Sequence, residues 1–279
     1  MTCCPICGSA GDPRFETTDE NQRVSADLFV YAACNCCGTI FLANPPAELK
    51  RYYEPDYYEI PSPGRLAAIA AKDRHKIDVV NRFARAKRLL EIGPAFGVFV
   101  LQARSEGYDV DALEMDERCC QSLREIEQVR VIQSDAPHQA IAALPRHDVM
   151  ALWHVIEHLP DPRSTVEAAH AWLRPGGVLG LSTGDVASLT ARLHGRDWSL
   201  LTPPWHQFFF SRGTMKRLLT DVGFDVIRVG GDGNVGVDAD SARPRVPALA
   251  ARLFASRPVS TVARKLGAGG IMFVFARKA

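Results

Sequence analysis

Between Arg88 and Arg277 short apolar runs alternate with stretches of helical periodicity, and this alternation limits the fold more than any other feature of the chain. Runs at 88–92, 109–114, 129–133, 149–153, 178–182, 224–229 and 271–277 read as strands, and 96–106, 117–125, 164–173 and 212–222 read as helices. A further helical pattern covers about 65–85. Strand–helix alternation of this length calls for a mostly parallel sheet with both faces covered, because each crossover lays a helix on one face. The expected class is therefore α/β: a seven-stranded, mostly parallel sheet with helices on both faces. Ligands on such sheets bind outside the carboxyl ends of the strands, near the point where strand order reverses.

The second constraint is cysteine placement. Six of the eight cysteines fall within the first 37 residues, and two clusters share one form, Cys4-Pro-Ile-Cys7-Gly8 and Cys34-Asn-Cys-Cys37-Gly38. Each pair sets two sulfurs on one tight turn, and the following glycine lets the backbone curl so that amides face the thiolates. Two such turns brought together supply the four sulfurs that Zn²⁺ favours, with no position left for a reactive water, so Cys4, Cys7, Cys34 and Cys37 are expected to hold a structural Zn²⁺. Cys3 and Cys36 sit beside this set as substitutes. The 26 residues between Cys7 and Cys34 leave room for a hairpin. Free or disulfide-linked cysteines are the alternative. The first residues lack the basic start and apolar run of a secretory signal, and no window reaches the roughly 18 apolar residues of a membrane span. A cytoplasmic chain with reduced thiols is the expectation, and Cys119-Cys120, in a helical stretch, reads as buried filler. The resulting division is 1–50 as a zinc-binding, ribbon-like module, 51–86 as connector and helix, and 87–279 as the main domain.

The strand ends carry the motifs. Leu89-Leu90-Glu91-Ile92-Gly93-Pro94-Ala95-Phe96-Gly97 is a strand, a glycine turn and a helix start, which lets a ligand approach backbone amides and a helix N-terminus. Its glycine spacing is not that of a dinucleotide turn, since Ala95 holds the middle position. Glu114 ends the second strand, 21 residues after Gly93, where a carboxylate suits two ribose hydroxyls. Asp135 follows the third strand, and the fourth leads into Trp153-His154-Val-Ile-Glu157-His158-Leu-Pro-Asp-Pro162. Taken singly, each acid reads equally as a turn or surface residue.

This order, with Leu173-Arg-Pro-Gly-Gly177 after the next helix, resembles class I S-adenosylmethionine-dependent methyltransferases, and among them those with a CxxCG zinc module in front, many of which act on small molecules and sugars. The resemblance covers nearly the whole chain and implies a Rossmann-like fold. It implies that Glu91, Gly93, Ala95, Phe96 and Gly97 line the methionine end of the cofactor, that Glu114 holds the ribose diol, and that Met115 lies against adenine. Asp135 is expected at the adenine amino group with the Ala136 amide nearby, and Trp153 and His154 at both cofactor and substrate. The departure is Ala95 in place of a glycine, one added methyl that the turn should tolerate.

Methyl transfer from a sulfonium is an in-line displacement that needs positioning and exclusion of water. A base is needed only where the acceptor must lose a proton. His158 is the candidate base with Glu157 orienting it; a helix-capping or loop-supporting His158 is the alternative. His206, in a Pro-Pro-Trp-His-Gln segment expected to fold over the cleft, is a second candidate, with a satisfied loop histidine as its alternative. Tyr57 and Tyr58 are expected to close the site or to pack the seam between domains. Residues 232–270 read as a lid, an oligomer surface or a cover for the last strands, and nothing in the sequence specifies an oligomer.

Composition narrows the partners. The chain is 47% hydrophobic and 23% charged, which is globular and not disordered. Its 33 basic and 32 acidic residues leave a net charge of +1, without the excess of a dedicated nucleic-acid binder. Residues 1–50 carry Arg14, Arg23 and Lys50 against Asp12, Glu16, Asp19, Glu20, Asp27 and Glu48, so the module repels phosphate. The expected function is methyl transfer to a small molecule, a sugar or nucleotide-sugar in glycan or natural-product synthesis. The rival readings are an RNA methyltransferase gripping RNA through the zinc module, a non-catalytic binding protein on the same fold, and, on fold alone, an NAD-dependent oxidoreductase.

Overall fold

The computed structural model describes residues 2–21, 23–52, 59–72, 74–126, 128–231 and 269–279. Tyr57, Tyr58 and nearly all of the 232–270 segment lie outside the described residues.

The N-terminal strands are β1 (Thr2–Cys3), β2 (Ala10–Thr17), β3 (Phe29–Cys34) and β4 (Ile40–Leu42). The expected helical stretch over 65–85 is two helices, α1 (Pro63–Lys72) and α2 (His75–Phe83). Then follow β5 (Arg88–Ile92), α3 (Val98–Ser105), β6 (Asp109–Glu114), α4 (Glu117–Arg124), β7 (Val129–Gln133) and the one-turn α5 (Pro137–Ala140). The chain continues through β8 (His147–Trp153), α6 (Pro162–Trp172), β9 (Leu173–Gly184) and α7 (Leu189–His194). It ends with β10 (Phe208–Phe209), α8 (Arg212–Val222), β11 (Phe224–Gly231) and β12 (Ile271–Lys278).

Helix boundaries follow from local chemistry. Asp116 caps α4 by accepting from the Cys119 amide, and Asp161 caps α6 by accepting from the Ser164 amide, with Pro162 in the first helical position. Ser211 and Thr214 cap α8 reciprocally, and Gly223, at φ +106°, closes it in the left-handed conformation. β9 starts at Leu173, ahead of the 178–182 run expected as a strand, because Leu173 pairs with His147 across a register irregularity.

Seven strands form one sheet in the order β11-β12-β9-β8-β5-β6-β7. The pairs from β9 through β7 are parallel, and β12 runs antiparallel to both β9 and β11. The seven-stranded, helix-covered expectation therefore holds. Strand order reverses where β5 meets β8, which opens a crevice at their carboxyl ends. Along β5 the buried side chains divide by parity: Leu89 packs with Ile77, Val80 and Phe99 on one face, and Leu90 and Ile92 with Val166, Leu218 and Leu219 on the other. Each such leucine or isoleucine contributes about 1.5–3 kcal/mol by leaving water.

The N-terminal strands belong to a separate antiparallel sheet, β1-β2-β3-β4-β10, whose last strand comes from the main domain. Phe208 pairs with Phe41 and Phe209 with Ile40. The cores are also continuous, since Cys4, Ile6, Cys34 and Phe41 pack in one cluster with Phe208, Phe210 and Met215.

Candidate active site

The carboxyl end of β5 runs into the glycine turn. Gly93 sits at φ +66°, and a Cβ there would come within 2.6 Å of Val155; Gly97, at φ +88°, would strike Leu123 at the same distance. Both positions require glycine. Ala95 occupies the left-handed region at φ +49°, a conformation costing on the order of 1 kcal/mol for a residue with a side chain. Its amide compensates by donating to Glu114 Oε2 at 2.9 Å. The turn survives the substitution, as expected.

Glu114 is buried and held by three amides: Oε1 also accepts from the Met115 and Asp116 amides at 2.7 and 2.9 Å. Burial raises its protonation equilibrium, against these three donors. Glu91, equally buried, has Oε2 without a hydrogen-bond partner. Burial pushes it up to about 8; Lys76 opposes this and the charge of Glu114 adds to it. Met115 is 46% exposed, an apolar side chain presented to solvent beside the crevice. Phe96 is half-buried, Asp135 is exposed, and the Ala136 amide donates to Ser134 Oγ. Trp153 is packed in the core between Phe99 and Phe275, with its indole N–H unpartnered.

Beyond β8 the backbone turns sharply at His154, φ +56°, whose amide donates to the Ser182 carbonyl. Glu157 is buried with neither carboxylate oxygen in a hydrogen bond; His154 Nδ1 lies 3.5 Å from Oε1. Burial resists its ionisation, but His154 and the imidazoles of His158 and His206 outweigh that and hold it below the usual carboxylate range. The rings of His158 and His206 meet edge to face, centroids 4.6 Å apart. His158 Nδ1 lies 3.1 Å from the Trp205 carbonyl, and His206 Nδ1 lies 2.6 Å from that of Leu200. A carbonyl only accepts, so each Nδ1 donates and each Nε2 bears a lone pair. Burial lowers His158, and burial with the His158 charge pushes His206 down to about 3. The orientation of His158 thus comes from the Trp205 carbonyl, whereas Glu157 contacts His154.

Sequence reasoning missed the residues that hold this cluster. Tyr31, in β3, donates to the His206 carbonyl at 2.7 Å; the Gln207 amide donates to the Glu157 carbonyl and its side chain to that of His158. Asn21 donates to the carbonyls of Trp198 and Leu201. The N-terminal sheet therefore fixes the 198–209 segment. The continuous apolar run of β3, Phe29-Val-Tyr-Ala-Ala-Cys34, was the signal for Tyr31's burial, but its partner lies 175 residues away.

The four expected cysteines meet. Cys4 Sγ is 3.7 Å from Cys37 Sγ, and Cys7 Sγ is 3.4 Å from Cys34 Sγ. Thiolates at ~2.3 Å from a tetrahedral ion stand about 3.8 Å apart, so the cluster has the dimensions of such a site. Amides of Cys36 and Cys37 point at Cys34 Sγ and, against burial, draw its thiol down to about 7.

A family model described as a methyltransferase domain matches residues 67–229. A ubiquinone biosynthesis O-methyltransferase of Escherichia fergusonii is 29% identical over 117 residues, which are 40% of this chain and 46% of that protein. One from Pectobacterium carotovorum is 31% identical over 102 residues, 35% and 43% of the two chains. The chain spans less than half the length of these curated relatives. Among solved structures, a SAM-dependent methyltransferase from Archaeoglobus fulgidus aligns over 76% of this chain and 94% of its own, with TM-score 0.55 and 19% identity. An S-adenosylmethionine-dependent methyltransferase from Mesorhizobium loti aligns over 76% and 99%, with TM-score 0.51 and 16% identity. At these identities the likeness is one of fold.

Proposed function

Because the chain belongs to the methyltransferase-domain family, we propose that it transfers a methyl group from S-adenosylmethionine to a small-molecule acceptor. The observation that carries this reading is the pair of buried carboxylates at the ends of β5 and β6. Glu114, locked by three amides, is placed to accept from a ribose diol, and the unpartnered Oε2 of Glu91 suits the cationic amino-acid end of the cofactor. When bound, the cofactor supplies an electrophilic methyl on a sulfonium. Gly93 and Gly97 keep the turn clear for close approach, Met115 offers an apolar surface for adenine, and Phe96, Asp135, Ala136, Trp153 and His154 complete the expected surroundings.

His158 is the proposed base. Its Nε2 lone pair takes the acceptor's proton while Nδ1 remains bonded to the Trp205 carbonyl. Glu157 stabilises the resulting imidazolium, and His206 packs against the ring and limits its rotation.

For the acceptor we favour a sugar or nucleotide-sugar. A cavity of about 620 Å³ beyond the end of β9 is lined by Arg14, Arg192 and Arg196 and walled by Phe15 and Trp198, a combination that suits an anionic, partly planar ligand. The ubiquinone-pathway relatives carry the competing reading of another small molecule. Residues 1–50 are read as a module that holds a structural Zn²⁺ through Cys4, Cys7, Cys34 and Cys37 and braces the 198–209 segment. No helix among the described residues is long and apolar enough to cross a membrane.

Calorimetric titration with S-adenosylhomocysteine, with NAD as control, tests the assignment. Micromolar binding of the former alone is expected; binding of NAD alone would overturn it.

A further inference from the structure

Glu157 is 1% exposed, and neither of its oxygens is in a hydrogen bond. A buried carboxylate is kept in a fold only when donors or positive charge compensate it. His154 approaches one oxygen at 3.5 Å, too long for a well-formed bond. Two imidazoles also lie beside it, each held by an Nδ1–H···O=C bond to the backbone, to Trp205 for His158 and to Leu200 for His206. Metal-binding histidines are held in this way, one ring nitrogen donating to a carbonyl and the other left to coordinate. One ligand atom from each of Glu157, His158 and His206 lies within 4.8 Å of the other two.

We propose that Nε2 of His158, Nε2 of His206 and a carboxylate oxygen of Glu157 form a second metal site, separate from the cysteine cluster and suited to Zn²⁺ or Co²⁺. Two imidazoles and one carboxylate favour a borderline transition ion over Mg²⁺ or Ca²⁺, which prefer oxygen alone. Three protein ligands leave the fourth tetrahedral position open towards a small ligand or water. Nitrogen and oxygen ligands at ~2.1 Å stand about 3.4 Å apart, and one ring nitrogen of each histidine and a Glu157 oxygen already lie within 4.8 Å of one another, so side-chain movement completes the site. The Tyr31 bond to the His206 carbonyl and the Gln207 bonds to Glu157 and His158 keep the three ligands registered while the side chains close. Coordination consumes the lone pair that the proposed proton transfer uses. The ion and the acceptor's proton therefore compete for His158, a consequence that rests on the reading of His158 as base, whereas the site itself does not.

Cobalt titration of the full chain, purified with zinc in its cysteine cluster, tests the site. Wild type is expected to take up one Co²⁺ per chain with a tetrahedral visible spectrum and no thiolate-to-cobalt charge-transfer band. His206→Ala is expected to weaken that uptake at least tenfold with S-adenosylhomocysteine affinity unchanged, which also certifies the fold. X-ray absorption of protein carrying two zinc equivalents gives a readout without any variant, a sulfur shell together with a nitrogen/oxygen shell. Uptake of no ion beyond the cysteine cluster, an all-sulfur shell, or cobalt affinity unchanged in His206→Ala would each overturn the proposal. Loss of cofactor binding in wild type would instead sink the methyltransferase reading and leave the metal result standing.

Discussion

Glu114 and Glu157 are both carboxylates buried beside the same crevice, one closing β6 and the other just beyond β8, yet their surroundings are opposite. Glu114 accepts three backbone amides, two from the residues that follow it and one from the adjacent glycine turn. Glu157 accepts no hydrogen bond and faces imidazoles, one of which, His206, arrives on a segment braced by the N-terminal sheet. Glu114 thus has its carboxylate fixed by its own strand end and the neighbouring turn before any ligand arrives. Glu157 is left with unpartnered oxygens, and the order of its surroundings depends on distant parts of the chain.

Removing the cysteines proposed to hold zinc in the N-terminal module should separate the two carboxylates' surroundings most strongly. Structural thiolate sites contribute on the order of 10 kcal/mol to their modules. Cys4→Ser combined with Cys34→Ser should release zinc, disorder the β4–β10 connection and abolish turnover, with cofactor affinity far less affected. Elemental analysis beside calorimetric titration checks this; full zinc retention would remove the cysteine assignment.

Next in size is His158→Ala. General-base loss costs about 10²- to 10⁴-fold, so turnover should fall by that range while S-adenosylhomocysteine affinity stays level. Turnover at the wild-type rate would end its role as base. Glu114→Ala should produce the converse pattern: cofactor affinity weakened by about 2–4 kcal/mol through loss of charge-assisted hydrogen bonds, as read by the same calorimetry. Unchanged affinity would break the contrast between the two carboxylates.

A pH-dependent effect concerns Glu91, raised from 4.5 to about 8 by burial. Its folded value lies above its unfolded one, so the stability it contributes is fully present below pH 4.5 and is lost as pH rises through about 8. Wild type should therefore lose thermal stability relative to Glu91→Gln between pH 5 and 9. Parallel melting curves across that range would show that the carboxyl does not titrate as its burial requires.

Much of the main sheet could be read in the chain because its signals are local. Strands at 88–92, 109–114 and 129–133 and the helix at 212–222 coincide with β5, β6, β7 and α8, since apolar runs, caps and glycine closures act within a few residues. What was not legible had non-local causes. β10 is two residues long and exists as a strand because β4 offers an edge. β9 starts at Leu173 because His147 is there to pair with it. Tyr31 looked like any hairpin tyrosine until its hydroxyl met the His206 carbonyl.

The sequence by itself determined the alternating sheet, the glycine turn with its strand-end acid, and two paired-cysteine turns, because backbone conformation and hydrogen bonding over a few residues suffice for each. Tertiary structure alone decided which histidines face Glu157, and that the N-terminal sheet should take its last strand from the main domain. Those contacts join residues far apart in sequence, and they form only when packing brings surfaces together whose local patterns carry no record of one another.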